Sequence, residues 1–82
     1  MIYPVYSVRD QLNGFGQLLV DTNEATAIRN FQNGIAQNVG MQNNLKDYDL
    51  YQLGEYDTET GVITPIQPIK MIVSAQSVFG GM

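Results

Sequence analysis

The sequence contains no cysteine and no histidine. Without cysteine there is no disulfide framework and no thiol chemistry, which is compatible with a reducing compartment. Without either residue, the usual protein ligands of transition metals and the most common general base of enzymes are both missing. These absences argue against a transition-metal site and against histidine-dependent catalysis.

Basic residues are scarce. Four of them (Arg9, Arg29, Lys46 and Lys70) stand against eight acidic residues, and the net charge is −4. Proteins bind nucleic-acid phosphates by releasing counterions with lysine and arginine, so this balance works against nucleic-acid affinity. Two interpretations remain open: the cations are solvated surface charges, or they converge in space, particularly in a dimer that doubles their number.

Long apolar runs are also missing. The longest is only a few residues, far below the roughly 20 that a membrane-spanning helix needs. The first residues lack the basic region and apolar run of a signal peptide. We therefore expect a soluble, intracellular protein that makes no contact with a membrane.

The sequence is short but has enough apolar residues to fold. With 82 residues, of which 44% are hydrophobic, it is predicted to form one globular domain. A core of this size supplies only a few kcal/mol of net stability, roughly 3–5. Because no disulfide or metal reinforces it, we expect the chain to gain stability by forming a homodimer.

The first twenty residues have the composition of a β-hairpin. Residues 2–9 are rich in β-branched and aromatic side chains, which favour strands. The pair Asn13-Gly14 is a strong hairpin signal, because both residues tolerate positive φ. Residues 15–20 are then predicted to return as a second strand.

A helix is predicted next, over roughly residues 23–38. Apolar residues recur there at steps of three and four, the period of one helix face. They are Ala25, Ile28, Phe31, Ile35 and Val39. Asp21 or Asn23 is expected to cap the helix, and Gly40 to end it. The polar residues 41–47 are predicted to form a surface loop.

The region from Tyr48 to Thr64 has the pattern of a second hairpin. Residues 57–61 form its loop, in which Asp57 bonds the turn backbone and Gly61 takes a left-handed conformation. Because Pro65 and Pro68 limit further pairing, the returning strand is expected to be short or to lie at an edge.

The predicted fold is α+β: two β-hairpins joined by one helix (β-β-α-β-β), with the helix on one face of an antiparallel sheet. Residues 1–68 are expected to form this single α+β domain. Residues 69–82 are expected to be a C-terminal tail, either frayed or docked on a partner chain.

Five acidic residues lie close together in the second half of the sequence: Asp47, Asp49, Glu55, Asp57 and Glu59. Paired carboxylates can perform general acid–base catalysis or hold a hard cation. The ligand spacing of a calcium-binding loop is absent, however, and solvated carboxylates commonly discourage pairing at strand edges. We expect no enzymatic activity, no metal and no cofactor.

Five tyrosines lie in the predicted strands: Tyr3, Tyr6, Tyr48, Tyr51 and Tyr56. On an uncovered sheet face, aromatic rings can stack on single-stranded bases, each worth about 1–3 kcal/mol. The alternative is that the tyrosines form cross-strand pairs and line the core or a dimer interface. Neither face of residues 48–56 is purely apolar, so periodicity leaves open which side is buried.

Three segments together resemble a known family: residues 6–10, residues 23–31, and residues 47–57 with Thr60-Gly61. Their order and spacing are similar to those of the Phage ORF5 family. These are the small nonstructural proteins of gokushovirus-type microviruses, phages with circular single-stranded DNA genomes. The resemblance covers residues 3 to about 68, and the tail after Pro68 departs from it.

The resemblance implies a non-enzymatic accessory protein of phage DNA replication in the host cytoplasm, with no catalytic residues to carry over. Its role would lie in the switch to single-stranded DNA synthesis and packaging, through single-stranded DNA binding or contact with a phage or host replication protein. The candidate contact residues are Tyr6, Arg9, Arg29 and Tyr51.

Two alternatives involve no nucleic acid. The protein is an acidic interaction module that binds a host or phage protein, or it has a scaffold-like role during assembly. The acidic surface would steer the interaction module to a basic partner.

Overall fold

The central strand pair of the sheet joins the two halves of the sequence. The computed structural model, which describes residues 1–80, pairs β1 (Ile2–Asp10) antiparallel with β4 (Tyr48–Asp57) along its whole length. Three further strands, β2 (Gly14–Phe15), β3 (Leu19–Val20) and β5 (Ile63–Ser74), complete a five-stranded antiparallel sheet. The predicted α+β class is confirmed.

The second strand of the first hairpin is broken in two. Both β2 and β3 pair antiparallel with β1, with Phe15 opposite Arg9 and Val20 opposite Val5. The predicted β-β-α-β-β order counted these two pieces as one strand. Residues 16–18 separate them, although the amide of Gly16 still donates to the carbonyl of Val8 at 2.9 Å.

The turn of this hairpin is organised by an aspartate. Asp10 accepts hydrogen bonds from the amide of Leu12 at 2.9 Å and from the side chain of Asn13 at 2.8 Å. Within this turn, Gly14 alone has a positive φ, of 92°. Asn13 and Gly14 both tolerate positive φ, but the hydrogen bonds to Asp10 organise the turn with only the glycine in the left-handed region.

The main helix, α1 (Glu24–Ala36), lies within the predicted range. The side chain of Asn23 caps it by accepting from the amide of Thr26 at 2.9 Å, which decides between the two predicted caps. Phe31 and Ile35 are buried as predicted, but the third buried residue is Ala27, and Ala25 is exposed.

The chain does not end its helical run at Gly40. A second short helix, α2 (Val39–Gln42), begins after Asn38, whose side chain accepts from the amide of Met41. Gly40 therefore lies inside a helix, and its predicted role as a helix terminator is wrong. A 3-10 turn, Leu45–Asp47, follows, and both Met41 and Leu45 pack against the core. This connector is thus partly helical and partly packed.

The second hairpin has the predicted turn. Gly61 has a φ of 76°, and its amide donates to the carbonyl of Asp57 at 2.8 Å. The carboxylate of Asp57 accepts from the amide of Glu59 at 2.9 Å. The aspartate and the glycine therefore have the two roles predicted from their spacing.

Strand β5 lies at the edge of the sheet, in the order β2-β1-β4-β5, but it is long, at 12 residues. Its ladder with β4 is interrupted: Gly54 faces Pro65, and Gln52 faces Lys70. Residues 66–69, with a cis peptide bond between Gln67 and Pro68, form the irregular part between the two ladders. Prolines thus interrupt the pairing without ending the strand.

The predicted boundary after Pro68 falls inside β5. Beyond it, Val73 lies opposite Leu50 in the ladder with β4, and Ala75 is completely buried. A π-helical turn, Gln76–Gly80, follows, and the side chain of Gln32 in α1 donates to the carbonyl of Val78 at 2.9 Å. Residues 69–80 therefore belong to the same folded unit as residues 1–68, and residues 81 and 82 lie outside the described residues.

The core lies between α1 and one face of the sheet. It consists of Tyr6 and Leu50 from the strands, the three buried residues of α1, and Ala75. Partly buried residues from α2, the 3-10 turn and the C-terminal turn pack against the same cluster. All the described helical segments thus lie on one side of the sheet.

Candidate nucleic-acid interface

Three side chains gather on the sheet face that the helices leave uncovered. The rings of Phe15 and Tyr51 meet edge to face, with centroids 5.5 Å apart and planes at 85°. The guanidinium carbon of Arg9 lies 5.9 Å from the centroid of the Phe15 ring, within the range of a cation–π contact. We refer to Arg9, Phe15 and Tyr51 as the Arg9 cluster.

Strand alternation explains why these three side chains share a face. Val8 and Leu50 are partners in the β1–β4 ladder and pack in the core. Arg9 and Tyr51 are the next residues along their strands, so their side chains point to the opposite face. The tight turn then returns Phe15 directly opposite Arg9.

The cluster is accessible. Phe15 is 43% exposed, and Met71, which faces Tyr51 across the β4–β5 ladder, is 51% exposed. Arg9 is exposed, and Tyr51 is partly buried. The uncovered face therefore presents apolar and aromatic surface beside a cation, a combination suited to stacking on a planar group.

The charge of Arg9 is not neutralised by a close ion pair. Within residues 1–80, the single ion pair joins Lys70 Nζ to Glu24 Oε1 at 3.7 Å. Asp49 is the ladder partner of Arg9, but one of its oxygens accepts from the side chain of Gln11 at 3.3 Å. The arginine thus has a carboxylate nearby and keeps its donors available.

Tyr6, one of the predicted contact residues, is 1% exposed and lies in the core under α1. Burial raises the pKa of its hydroxyl, and the negative charges of Glu24 and Asp21 raise it further. It cannot contact a ligand on the uncovered face, because its side chain points to the other one. This corrects the prediction for Tyr6: it is a core tyrosine.

The other predicted residues divide between the two sides of the sheet. Arg9 and Tyr51 come together in the cluster, whereas Arg29 lies on the exposed surface of α1, in the helical layer. Tyr3 and Tyr56 are partners in the β1–β4 ladder, and neither belongs to the Arg9 cluster. The two arginines therefore do not form one surface within a single chain.

Phe15 was not among the predicted contact residues. A two-residue turn at Asn13-Gly14 would place Phe15 opposite Leu12, whereas the turn observed spans residues 11–13 and places Gly14 opposite Asp10 and Phe15 opposite Arg9. Tyr51 joins them through the register between β1 and β4, and no pattern of neighbouring residues in the sequence indicates that register.

Within residues 1–80, no three acidic side chains are grouped so that they could hold a metal ion. None of the helices in that range combines the length and the apolarity needed to cross a membrane.

A family model described as Phage ORF5 protein matches residues 3–78. The chain belongs to the Phage ORF5 family. The match continues to residue 78, well past Pro68, where we expected the resemblance to stop. It therefore includes the whole of β5. No curated protein and no solved structure matches the chain. All three residues of the Arg9 cluster lie within the region shared with the Phage ORF5 family.

Proposed function

We propose that this phage protein is a non-enzymatic accessory protein of DNA replication that binds single-stranded DNA through the Arg9 cluster. The observation that carries the proposal is the contact of an exposed arginine with aromatic rings on a sheet face that no helix covers. In one common RNA-binding module, a four-stranded sheet stacks two or three unpaired bases on aromatic side chains, and such stacking tolerates any base.

Membership of the Phage ORF5 family suggests the biological process in which this binding would act. In a microvirus, the genome is circular single-stranded DNA, and a small nonstructural protein that binds it would act in the switch to single-strand synthesis and packaging. The host cytoplasm is the place of that switch. The single-stranded genome is also the ligand whose bases are free to stack, which agrees with a surface that offers rings and few cations.

The expected binding is weak and depends modestly on salt. Each phosphate neutralised on a single strand contributes about −0.7 to the slope of log affinity against log salt concentration, and the cluster supplies one arginine. A homodimer, which we also propose, would double the rings and the cations. Analytical ultracentrifugation across a range of protein concentrations tests the dimer separately from DNA binding.

A fluorescence anisotropy titration of a labelled oligothymidine, begun at low salt, tests the proposal. The wild-type protein is expected to bind, and Phe15→Ala to bind about tenfold more weakly, since one stacked base is worth roughly 1–3 kcal/mol. Arg9→Ala is expected to reduce the salt slope by about 0.7. Arg29→Ala, which alters the helical layer, is the matched control and should leave both quantities unchanged.

Absence of binding at low salt, with the protein shown to be folded, would rule the DNA-binding function out. Equal losses in Arg9→Ala and Arg29→Ala would also contradict it, because they would indicate a diffuse electrostatic effect with no defined surface.

One observation favours a second candidate, the acidic interaction module. The net charge is −4, and one of the four basic residues, Lys70, is already paired with Glu24. Such a surface would steer the protein to a basic partner. Recovery of a phage or host replication protein in a pull-down that is unaffected by nuclease and by Arg9→Ala would favour this function over DNA binding.

A further inference from the structure

The uncovered face of the sheet continues beyond the Arg9 cluster towards the start of β1. The β1–β4 ladder contains one irregularity, and the extra residue there, Leu53, belongs to β4. The side chains of β1 therefore keep alternating, and Tyr3 and Val5 lie on the same face as Arg9. The residues in line with them in β3, β4 and β5 complete an apolar surface. We call this surface the Ile63 patch, which consists of Tyr3, Val5, Val20, Tyr56, Ile63 and Pro65.

The surroundings of neighbouring residues agree with this assignment of faces. Leu19 packs against the core, whereas Val20, the next residue of β3, is 49% exposed. Ile2, Glu55 and Asp57, which alternate with the patch residues of β1 and β4, line a concave surface together. Strand alternation puts them on the opposite face of the sheet. This end of the sheet thus has one apolar face and one face that carries two carboxylates.

The chemistry of the Ile63 patch is that of a protein interface. Ile63 is 56% exposed, and Val5, at the centre of the patch, is 2% exposed. Tyr3 and Tyr56 are partly buried. Tyrosines beside aliphatic side chains, with no cation among them, resemble the apolar centre of an interface, where aromatic residues are enriched and charged residues are depleted. A DNA phosphate would find no partner there, so we infer a protein partner for this part of the face.

Charge favours a second copy of the chain as that partner. With a net charge of −4, two copies repel each other, and they approach best where no carboxylates face each other. None of the six residues of the Ile63 patch is charged, whereas Glu55 and Asp57 lie on the opposite face. In a two-fold dimer the same patch is present on both chains, so an uncharged apolar patch is complementary to itself.

The edge of the sheet is a less suitable place for two copies to meet. Strand β5 forms that edge and contains Pro65 and Pro68, which have no N–H to donate to a new ladder. It also contains Lys70, a type of residue that commonly protects exposed edges from pairing. Packing of the two sheet faces is therefore favoured over pairing of two β5 strands.

We propose that two copies of the chain pack their Ile63 patches face to face about a two-fold axis that runs across the strands. This inference rests on the homodimer proposed above and assigns its interface. The axis places the two Arg9 clusters at opposite ends of the dimer, where both stay open.

The size of the patch sets the expected strength of the dimer. Four strands spaced about 4.8 Å apart and two rows of side chains about 7 Å apart give the patch an outline of roughly 300 Å². A standard interface buries about 800 Å² on each partner. The dimer is therefore expected to be weak and to depend on protein concentration.

Sedimentation equilibrium without DNA, over a range of protein concentrations, tests the interface. The wild type is expected to show a monomer–dimer equilibrium. Ile63→Glu places a carboxylate in the patch and should stay monomeric at concentrations where the wild type is half dimeric, because a buried unpaired charge is costly. Thr64→Glu is the matched control: it adds the same charge at the next residue of β5, on the opposite face, and should dimerise like the wild type. Circular dichroism confirms that both variants are folded.

Cross-linking locates the contact. The chain contains no cysteine, so one introduced cysteine reports on a single position. With a short bifunctional maleimide, Ile63→Cys is expected to give a covalent dimer and Thr64→Cys is not. Equal cross-linking of the two variants would indicate pairing at the β5 edge and would overturn the proposal.

The remaining outcomes separate this proposal from the others. A wild type that stays monomeric at every concentration would overturn the homodimer and its interface, while DNA binding is decided by its own titration. Dimerisation of folded Ile63→Glu at wild-type strength would overturn the interface alone. A monomeric wild type whose affinity for oligothymidine is lowered by Ile63→Glu and not by Thr64→Glu would show that the patch contacts DNA instead.

Discussion

The ring of Phe15 meets the ring of Tyr51 across an intervening strand. Phe15 belongs to β2 and Tyr51 to β4, and β1 lies between these strands in the sheet. The contact therefore gives the two-residue strand β2 a side-chain attachment to the centre of the sheet, in addition to its ladder with β1. It also holds the aromatic surface of the Arg9 cluster in one geometry.

This contact predicts a measurable coupling between the two residues. In a double-mutant cycle with Phe15→Leu and Tyr51→Leu, we expect a coupling free energy of about 0.5–1.5 kcal/mol, the range found for aromatic pairs. Urea denaturation of the four proteins measures it. The control cycle combines Phe15→Leu with Tyr56→Leu, at the other end of β4, and should give a coupling near zero. Equal couplings in the two cycles would contradict a direct ring contact.

Tyr6 is predicted to matter for stability and not for binding. Truncating a large buried aromatic residue costs about 3–5 kcal/mol, which is comparable with the whole net stability of a domain this small. We therefore expect Tyr6→Ala to be largely unfolded by circular dichroism. Tyr6→Phe retains the ring and should remain folded, with unchanged affinity for oligothymidine. A folded Tyr6→Phe protein that had lost DNA binding would contradict the position of Tyr6 in the core.

Two glycines are predicted to respond oppositely to alanine. Gly54 is buried, and a β-carbon there would collide with the backbone carbonyl oxygen of Thr64 in β5. Because backbone atoms cannot move aside cheaply, Gly54→Ala should destabilise the protein by about 1–3 kcal/mol. Gly34 lies in the helix with open space around it, so Gly34→Ala should stabilise the protein by about 1 kcal/mol.

Thermal or urea unfolding of the two variants measures both effects. Because the same substitution is made twice, any general effect of removing a glycine from the unfolded chain is shared. Destabilisation by Gly34→Ala would contradict the open surroundings of that position, and a neutral Gly54→Ala would contradict the close approach of β4 and β5.

The turn at Asp10 predicts a loss of stability in acid. Hydrogen bonds from the Asn13 side chain and the Leu12 amide hold the pKa of Asp10 below its ordinary value of 3.8. The folded state therefore favours the ionised form of Asp10. The stability that this carboxylate contributes is fully present above pH 3.8 and is lost as the pH falls through the lower pKa of the folded state. Asn at position 10 does not titrate, so Asp10→Asn should lack this pH-dependent part of the stability.

Urea midpoints of the wild type and of Asp10→Asn, measured at neutral pH and in acid below 3.8, test this. The advantage of the wild type should shrink in acid. Glu59→Gln is the control, since the Glu59 side chain makes no hydrogen bond within the described residues, and its difference from the wild type should change less. An advantage of the wild type that stayed constant across the pH range would contradict the role of Asp10.

Local features of the fold could be predicted because each depends on a few neighbouring residues. The Asn23 cap, the apolar face of α1 and the Asp57–Gly61 turn all follow from hydrogen bonds or spacings within a few positions. The first hairpin was predicted for the same reason, although the break between β2 and β3 was not. Such a break depends on the neighbouring elements in the tertiary structure, and the residues of the strand itself do not indicate it.

The candidate site could be predicted only in part. Residue type alone makes Arg9, Tyr51 and Tyr6 candidates, because in a strand with mixed faces the type of a residue does not indicate which face of the sheet it occupies. The packing of α1 against one face separated the tyrosines: Tyr6 went to the core and Tyr51 to the uncovered surface.

The C-terminal segment illustrates the same limit. Pro65 and Pro68 locally oppose strand structure, and the sequence beyond Pro68 predicts a tail. Pairing of residues 70–74 with β4 and burial of Ala75 outweigh that local preference.

The sequence by itself determined the class of fold, the apolar face of α1, the Asp57–Gly61 turn, and membership of the Phage ORF5 family, because these depend on local hydrogen bonding and on residue order. Only the tertiary structure decided which sheet face is buried, that Phe15 joins Arg9 and Tyr51, and that the Ile63 patch lies on the uncovered face. Those features arise from contacts between residues far apart in the chain, where the registration of strands and the packing of the helix determine which side chains meet.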